Sequence, residues 1–190
     1  MKGKDIRIAL DEWNYWYGPD LYGEIGVQYH LKDALGIAAG LHEMFRNSDI
    51  FYMANYAQTV NVIGCIKTSK TAACFDTTGL VLMLYRRHFG VEPIAVTGAP
   101  KPLDVAAAWT ADRKALTVGI VNPSPDAISV PVQVSGATLA AQGRVWRITG
   151  PDPMATNVPG KAPQVVLTED SAEDFQVPPF SVCLFEFATR

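Results

Sequence analysis

Of the 13 prolines in this 190-residue chain only Pro19 precedes position 90, whereas all seven tyrosines (15, 17, 22, 29, 52, 56 and 85) do. Proline fixes φ and lacks a backbone N–H, so it is kept out of helix interiors and central strands and punctuates short ones. A chain divided in this way folds under two regimes. In the first, Ile6, Ile8 and Leu10 alternate with Arg7 and Ala9, which predicts a short strand. Leu31, Ala34, Leu35, Ala38, Leu41 and Phe45 then fall at helical spacing, with Lys32, Asp33, Glu43 and Arg46 on the other face. They predict a helix of about 18 residues ending near Asn47. Ile50–Ala54 is a second strand, Asn55–Ile63 a loop, and Thr77–His88 a second helix. The order strand, helix, strand, helix matches two βα units of a parallel α/β architecture.

From Pro93 onward, short runs are separated by Pro, Gly, Asn and Asp. Leu116–Ile120, Ile128–Val134, Gly143–Ile148, Gln164–Leu167 and Ser181–Phe187 read as strands at β-sandwich spacing, with a turn at Asn122–Asp126. No flexible tether separates the halves, which predicts that they pack together.

Charge and length exclude several classes of function. Sixteen basic against 19 acidic side chains, without a Lys/Arg cluster, do not suit a nucleic-acid backbone binder. The longest apolar runs, Val60–Ile66 and Gly79–Tyr85, fall well short of the roughly 20 residues a membrane helix needs. Residues 1–5 lead into a strand pattern without an apolar h-region, which gives no sign of a signal peptide and predicts a cytoplasmic protein. Cys65, Cys74 and Cys183 lack metal-type spacing and read as free thiols. His30, His42 and His88 lack the paired spacing of a zinc site. Gly36-x-x-x-Gly40 sits in a helical pattern and serves close packing rather than phosphate binding, so no cofactor is expected. Lys67-Thr-Ser-Lys70 reads as a solvated basic loop.

The stretch Leu10-Asp-Glu-Trp-Asn-Tyr-Trp-Tyr17 carries the chemistry. It places carboxylates where a strand ends, the position that lines the active site in a parallel barrel. Glu12 shares parity with Ile6, Ile8 and Leu10. A carboxylate there suits the nucleophile or the proton donor of glycoside cleavage, and the aromatics beside it suit sugars. The alternative from spacing alone is a surface loop with solvated acids.

Asp11-Glu-Trp-Asn14, followed some forty residues later by Met53-Ala-Asn-Tyr-Ala-Gln-Thr-Val-Asn-Val-Ile63, resembles the C-terminal portion of glycoside hydrolase family 51, the retaining α-L-arabinofuranosidases. The resemblance covers the whole chain in order. It implies the last two βα units of a (β/α)8 barrel over residues 1–92, followed by a jelly-roll-type β-sandwich over 93–190. It also implies that Glu12, at the end of barrel strand seven, is the nucleophile and that Gln58 contacts the sugar. Trp13 and Asn14 would position the nucleophile's surroundings and line the substrate site, Asn61 would fix the loop backbone, and Asp11 would be structural. The implied substrate is an arabinofuranosyl oligosaccharide or polysaccharide.

One departure limits this reading. A retaining enzyme needs a second carboxyl about 5–5.5 Å from the first, which the family takes from an Asn-Glu motif absent here. Glu24, Glu43, Glu92, Glu169, Glu173 and Glu186 match no position of that motif. With six of the eight βα units of such a barrel not contained in the chain, the expectation is inactivity alone and a homo-oligomer or a complementing polypeptide. The alternatives are a noncatalytic carbohydrate-binding or assembly module and one half of a split glycosidase.

Overall fold

The apolar spacing of Leu31, Ala34, Leu35, Ala38 and Leu41 folds as helix α1 (Leu31–Arg46) in a computed structural model that describes residues 6–17 and 26–189. Residues 1–5 and Glu24 lie outside the described residues. Strand β1 (Ile8–Trp13) precedes α1 and β2 (Phe51–Tyr56) follows it, and the two pair in parallel, with Ile8 opposite Phe51 and Trp13 opposite Tyr56. A hairpin of β3 (Ile66–Thr68) and β4 (Ala73–Phe75) leads to α2 (Thr77–His88), whose N-cap Asp76 accepts from Thr77 N–H at 2.8 Å. Three-residue strands are too short to leave a period in the sequence, so this hairpin was not legible there.

Two polar side chains sit where their residue types do not predict. Asp33, expected on the solvated face of α1, is buried because its carboxylate accepts the His30 backbone N–H at the helix start, at 2.7 Å, and the Tyr17 hydroxyl. Lys67, expected in a solvated loop, is a buried strand residue whose ammonium donates to Val62 O at 3.0 Å.

The second regime builds one antiparallel sheet, in the order β10 (Val166–Ala172), β9 (Gly143–Thr149), β12 (Ser181–Ala188), β7 (Ala115–Asn122), β6 (Asp104–Trp109) and β5 (Glu92–Ile94). A two-stranded ribbon, β8 (Ile128–Ser129) with β11 (Gln176–Val177), lies apart from it. The expected strand Ile128–Val134 pairs over two residues only, and the β10 segment begins two residues later than expected. Ala-rich β6 has no alternation to read. Glu92 already belongs to the sheet, opposite Trp109.

Both faces of the sheet are buried. Val121, Trp146, Ile148, Val182 and Leu184 share one core with Leu35, Ala38, Val81, Leu84 and Tyr85 of the helices. Val118, Ile120, Val145, Cys183 and Phe185 share another with Val130, Phe175 and Val177. The helices are thus a layer between the parallel pair and the antiparallel sheet, and the two halves pack together as expected. All three cysteines are free, and burial pushes the Cys183 thiol up to about 11.

A polar pin crosses the helix–sheet core. His42 of α1 donates from Nδ1 to Asp104 at 2.5 Å and accepts at Nε2 from the Tyr85 hydroxyl of α2 at 2.5 Å. Arg46 holds the outer oxygen of Asp104 at 3.1 Å. Gly119 of β7 lies beneath, where a Cβ would come within 2.6 Å of Tyr85 Oη and 2.7 Å of His42 Nε2. We therefore expect Gly119→Ala to lower stability by about 1–3 kcal/mol in urea unfolding. Burial holds the His42 imidazole below its ordinary proton affinity, against the pull of Asp104. The unfolded chain takes up that proton below about pH 6.5 and the folded one resists it, so stability is retained above that pH and falls as pH drops beneath it. His42→Gln should flatten the difference between urea unfolding at about pH 7.5 and at about pH 5.5.

Candidate active site at the ends of the parallel strands

Parallel pairing brings the C-terminal ends of β1 and β2 together. Asp11, Glu12, Trp13 and Asn14 end one strand, and Ala57 and Gln58 follow the other. Ala57 N–H donates to Trp13 O at 3.2 Å, which closes the ladder there. Glu12, Asp11 and Gln58 are exposed. Trp13 turns the other way, toward α1, with its Nε1 buried and its ring edge-on to Tyr56 at 5.6 Å. The glycines of α1 make room for this loop. A Cβ at Gly40 would sit 3.6 Å from the Trp13 ring, and one at Gly36 would meet the Tyr15 hydroxyl at 2.0 Å. The Gly36-x-x-x-Gly40 spacing thus serves close packing, here against a strand end.

Asn14 joins three segments. Its amide NH2 lies 2.8 Å from Tyr29 Oη, 2.8 Å from Ala57 O and 2.6 Å from Ile63 O, and its carbonyl accepts from Tyr15 N–H. Both amide hydrogens are committed within the protein. Asn61 has the part expected of it: its carbonyl accepts from Thr68 N–H at 2.8 Å and its NH2 reaches Thr68 Oγ1 at 2.9 Å.

A buried layer that sequence reasoning missed lies under these loops. Tyr29, fully buried, donates to Tyr15 O at 2.7 Å, and its N–H reaches Asp76 at 3.2 Å. The Lys67 ammonium stands 5.3 Å over the Tyr29 ring and 3.9 Å from Asp76. Burial pushes the Asp76 carboxyl up to about 7, against the pull of Thr77 N–H, Tyr29 N–H and Lys67. Burial likewise raises the Tyr29 and Tyr56 phenols. An Asp before a helical run signals a cap, but no local pattern signals that Lys67 is buried beside it.

Above this layer the surface is aromatic. Trp16 is 72% exposed, with Tyr15 and Tyr17 beside it in sequence and also exposed. The remaining described glutamates make polar contacts elsewhere: Glu43 with Arg46, Glu92 with Arg113, Glu169 and Glu186 with Arg144, Glu173 with Gln142. Among the described residues no three His, Cys, Asp or Glu side chains are grouped to hold a metal ion.

Residues 11–181 match the family model described as the α-L-arabinofuranosidase C-terminal domain. The chain belongs to this family. It corresponds to the C-terminal portion of a glycoside hydrolase family 51 enzyme. The fold is similar to the arabinose complex of the α-L-arabinofuranosidase from Thermotoga maritima, with a TM-score of 0.78 and 30% identity over 95% of this chain and 42% of that one. For the family 51 enzyme of Thermotoga petrophila the TM-score is 0.81, again at 30% identity, over 95% of this chain and 43% of that one. Among curated relatives, a probable α-L-arabinofuranosidase C of Aspergillus fumigatus is 32% identical over 86% of this chain and 35% of its own length. The chain thus spans roughly two fifths or less of the length of these relatives.

The geometry separates residues that hold the arabinofuranosidase-family loop from residues free to act. Asn14→Ala removes the amide that Tyr29 Oη, Ala57 O and Ile63 O share, and should cost about 2–3 kcal/mol in urea unfolding. Glu12→Gln, at an exposed position, should stay within about 0.5 kcal/mol of the parent.

Proposed function

We propose that this chain supplies the nucleophile side of a retaining α-L-arabinofuranosidase site. The observation that carries the reading is that Glu12 and Gln58 lie, both exposed, at the same end of the parallel strands β1 and β2, in a member of this family. Glu12 attacks the anomeric carbon of a terminal arabinofuranosyl unit and forms a glycosyl ester. The leaving oxygen takes its proton from an acid outside these 190 residues, and the same group then activates the water that hydrolyses the ester. Gln58 both donates to and accepts from sugar hydroxyls. Trp13 and Asn14, committed to packing and to backbone acceptors, act on substrate through the placement of Glu12.

On this reading residues 1–92 are the last two βα units of a catalytic barrel, and 93–190 are the C-terminal β-domain of jelly-roll type. The exposure of Ile6, Ile8, Tyr52 and Met53 on or beside the parallel pair supports further chain docking there, since parallel strands are normally covered on both faces. A complementing polypeptide or a second copy can supply that chain. The cytoplasm fits a relative from Bacillus subtilis, 26% identical over 70% of this chain, whose name describes it as an intracellular exo-α-(1→5)-L-arabinofuranosidase.

The test is turnover of an aryl α-L-arabinofuranoside. The isolated chain should be nearly inactive, and co-expression with a polypeptide carrying the other barrel units should restore activity. Glu12→Gln should then remove it by roughly 10³-fold or more. Full turnover by the isolated chain would overturn the requirement for a partner. A second reading, sugar binding without catalysis, is favoured by the exposure of Trp16. Calorimetric titration with arabino-oligosaccharides separates the two, because sugar binding by the isolated chain that is lost in Trp16→Ala, with no turnover on co-expression, belongs to a binding module.

A further inference from the structure

Two consecutive carbonyls in the loop after Gln58 are taken by different partners. Ile63 O accepts the Asn14 amide at 2.6 Å and lies 3.2 Å from Tyr29 Oη, which ties the loop to the end of the Glu12 strand. Val62 O accepts the Val27 N–H at 2.7 Å and the Lys67 ammonium at 3.0 Å. The loop then returns to the start of β3, where Cys65 N–H donates to Gln58 O at 3.2 Å and Ile66 N–H to Thr59 O at 2.9 Å. The turn at Asn61–Ile63 is thus the joint between the backbone of Gln58 and that of Asn14.

Its residues do not favour that turn equally. Asn61 and Val62 both have left-handed backbone, with φ of 52° and 50°. Asn tolerates this region, whereas a β-branched residue is strained in it. The Val62 side chain is 39% exposed, so burial does little to offset the strain. What holds Val62 is therefore the pair of donors on its carbonyl, and of these the Lys67 ammonium makes the charge-assisted bond.

Lys67 is 1% exposed. Packing alone does not call for a cation there, because an unbranched apolar side chain fills the same volume without the desolvation cost. Asp76, at 3.9 Å, and the Tyr29 ring, at 5.3 Å, face the ammonium from the layer beneath. Asp76 in turn accepts the Tyr29 N–H at 3.2 Å. Lys67 thus links the strained turn to the same tyrosine that meets Asn14.

We infer that Lys67 is a positioning residue, which sets the Gln58 loop against the Glu12 strand by holding the Val62 carbonyl in its left-handed turn. Its effect on substrate passes through Val62, Ile63 and Asn14. The inference rests on the reading of Glu12 and Gln58 proposed above, whereas the order of the loop can be measured without it.

The experiment is amide hydrogen exchange on the 190-residue chain and its variants. In Lys67→Met the Cys65 and Ile66 amides, which close the loop onto Gln58 and Thr59, should exchange about tenfold faster or more. Gly119→Ala, which loosens the helix–sheet core instead, should leave them within about twofold. Glycine adopts positive φ without strain, so in a Val62→Gly background Lys67→Met should speed these amides by no more than about threefold. In the complemented assembly Lys67→Met should raise KM for an aryl α-L-arabinofuranoside about tenfold and change kcat by less than about threefold. The inference is overturned if the two amides are unaffected by Lys67→Met, or if Val62→Gly does not make Lys67 dispensable. It is equally overturned if Lys67→Met fails to fold in both backgrounds, or if the loop loosens while KM stays unchanged. An assembly that is inactive with the parent chain counts against the reading of Glu12, and the exchange rates then decide the role of Lys67.

Discussion

Helices α1 and α2 are apolar toward two sheets at once, and the rest of the molecule is arranged around that double duty. Toward the antiparallel sheet they present bulk, with Leu35, Val81, Leu84 and Tyr85 against Trp146, Ile148 and Leu184. Toward the parallel strands α1 presents Gly36 and Gly40, which let the rings of Tyr15 and Trp13 approach the helix closely. The start of α1 is tied to the C-terminal half as well, since Leu31 N–H donates to Ala155 O and Lys32 N–H to Pro153 O. Burying those otherwise orphaned donors against a turn from the far half makes the helix layer inseparable from the sheet beneath it.

The same layer explains where buried polarity is tolerated. His42, Asp104 and Tyr85 satisfy one another between helix and sheet, and Asp33, Tyr17 and the His30 N–H do so at the helix start. Lys67 and Asp76 lie under the candidate site with Tyr29 between them. A buried charge without a partner costs several kcal/mol, so each of these groups holds the position of the others. Removing one destabilises more than the contact it makes.

This division also sets what was legible in the sequence. Helix α1 has one buried face and leaves a period, whereas β7, β9 and β12, buried on both faces, leave short apolar runs bounded by turn residues, so these elements could be read from the sequence. Glu12 and Gln58 stood out through their motifs, and the structure places both at one end of the parallel pair. The Asp33, Lys67 and Tyr29 network was not legible, because its partners lie 16, 9 and 47 residues apart in sequence and no local pattern encodes a distant partner. The Ile128–Val134 reading shows the opposite effect: the alternation is present, but a strand also needs a neighbour, and beyond Val130 the described residues offer none.

The placement of Glu12 rests on the loops more than on its own ladder. A two-stranded sheet is marginal in water, and the β1–β2 pairing shifts register between Leu10 and Trp13, beside Glu12 itself. What holds the strand end is the Ala57 N–H on Trp13 O, the Asn14 amide bridging Tyr29, Ala57 and Ile63, and the Trp13 ring packed against Tyr56 and α1. These contacts fix the two residues that follow Glu12 and leave Glu12 itself exposed. An exposed carboxylate on a rigid backbone is a group whose position is specified before its chemical partners arrive, which is what the role proposed for Glu12 requires.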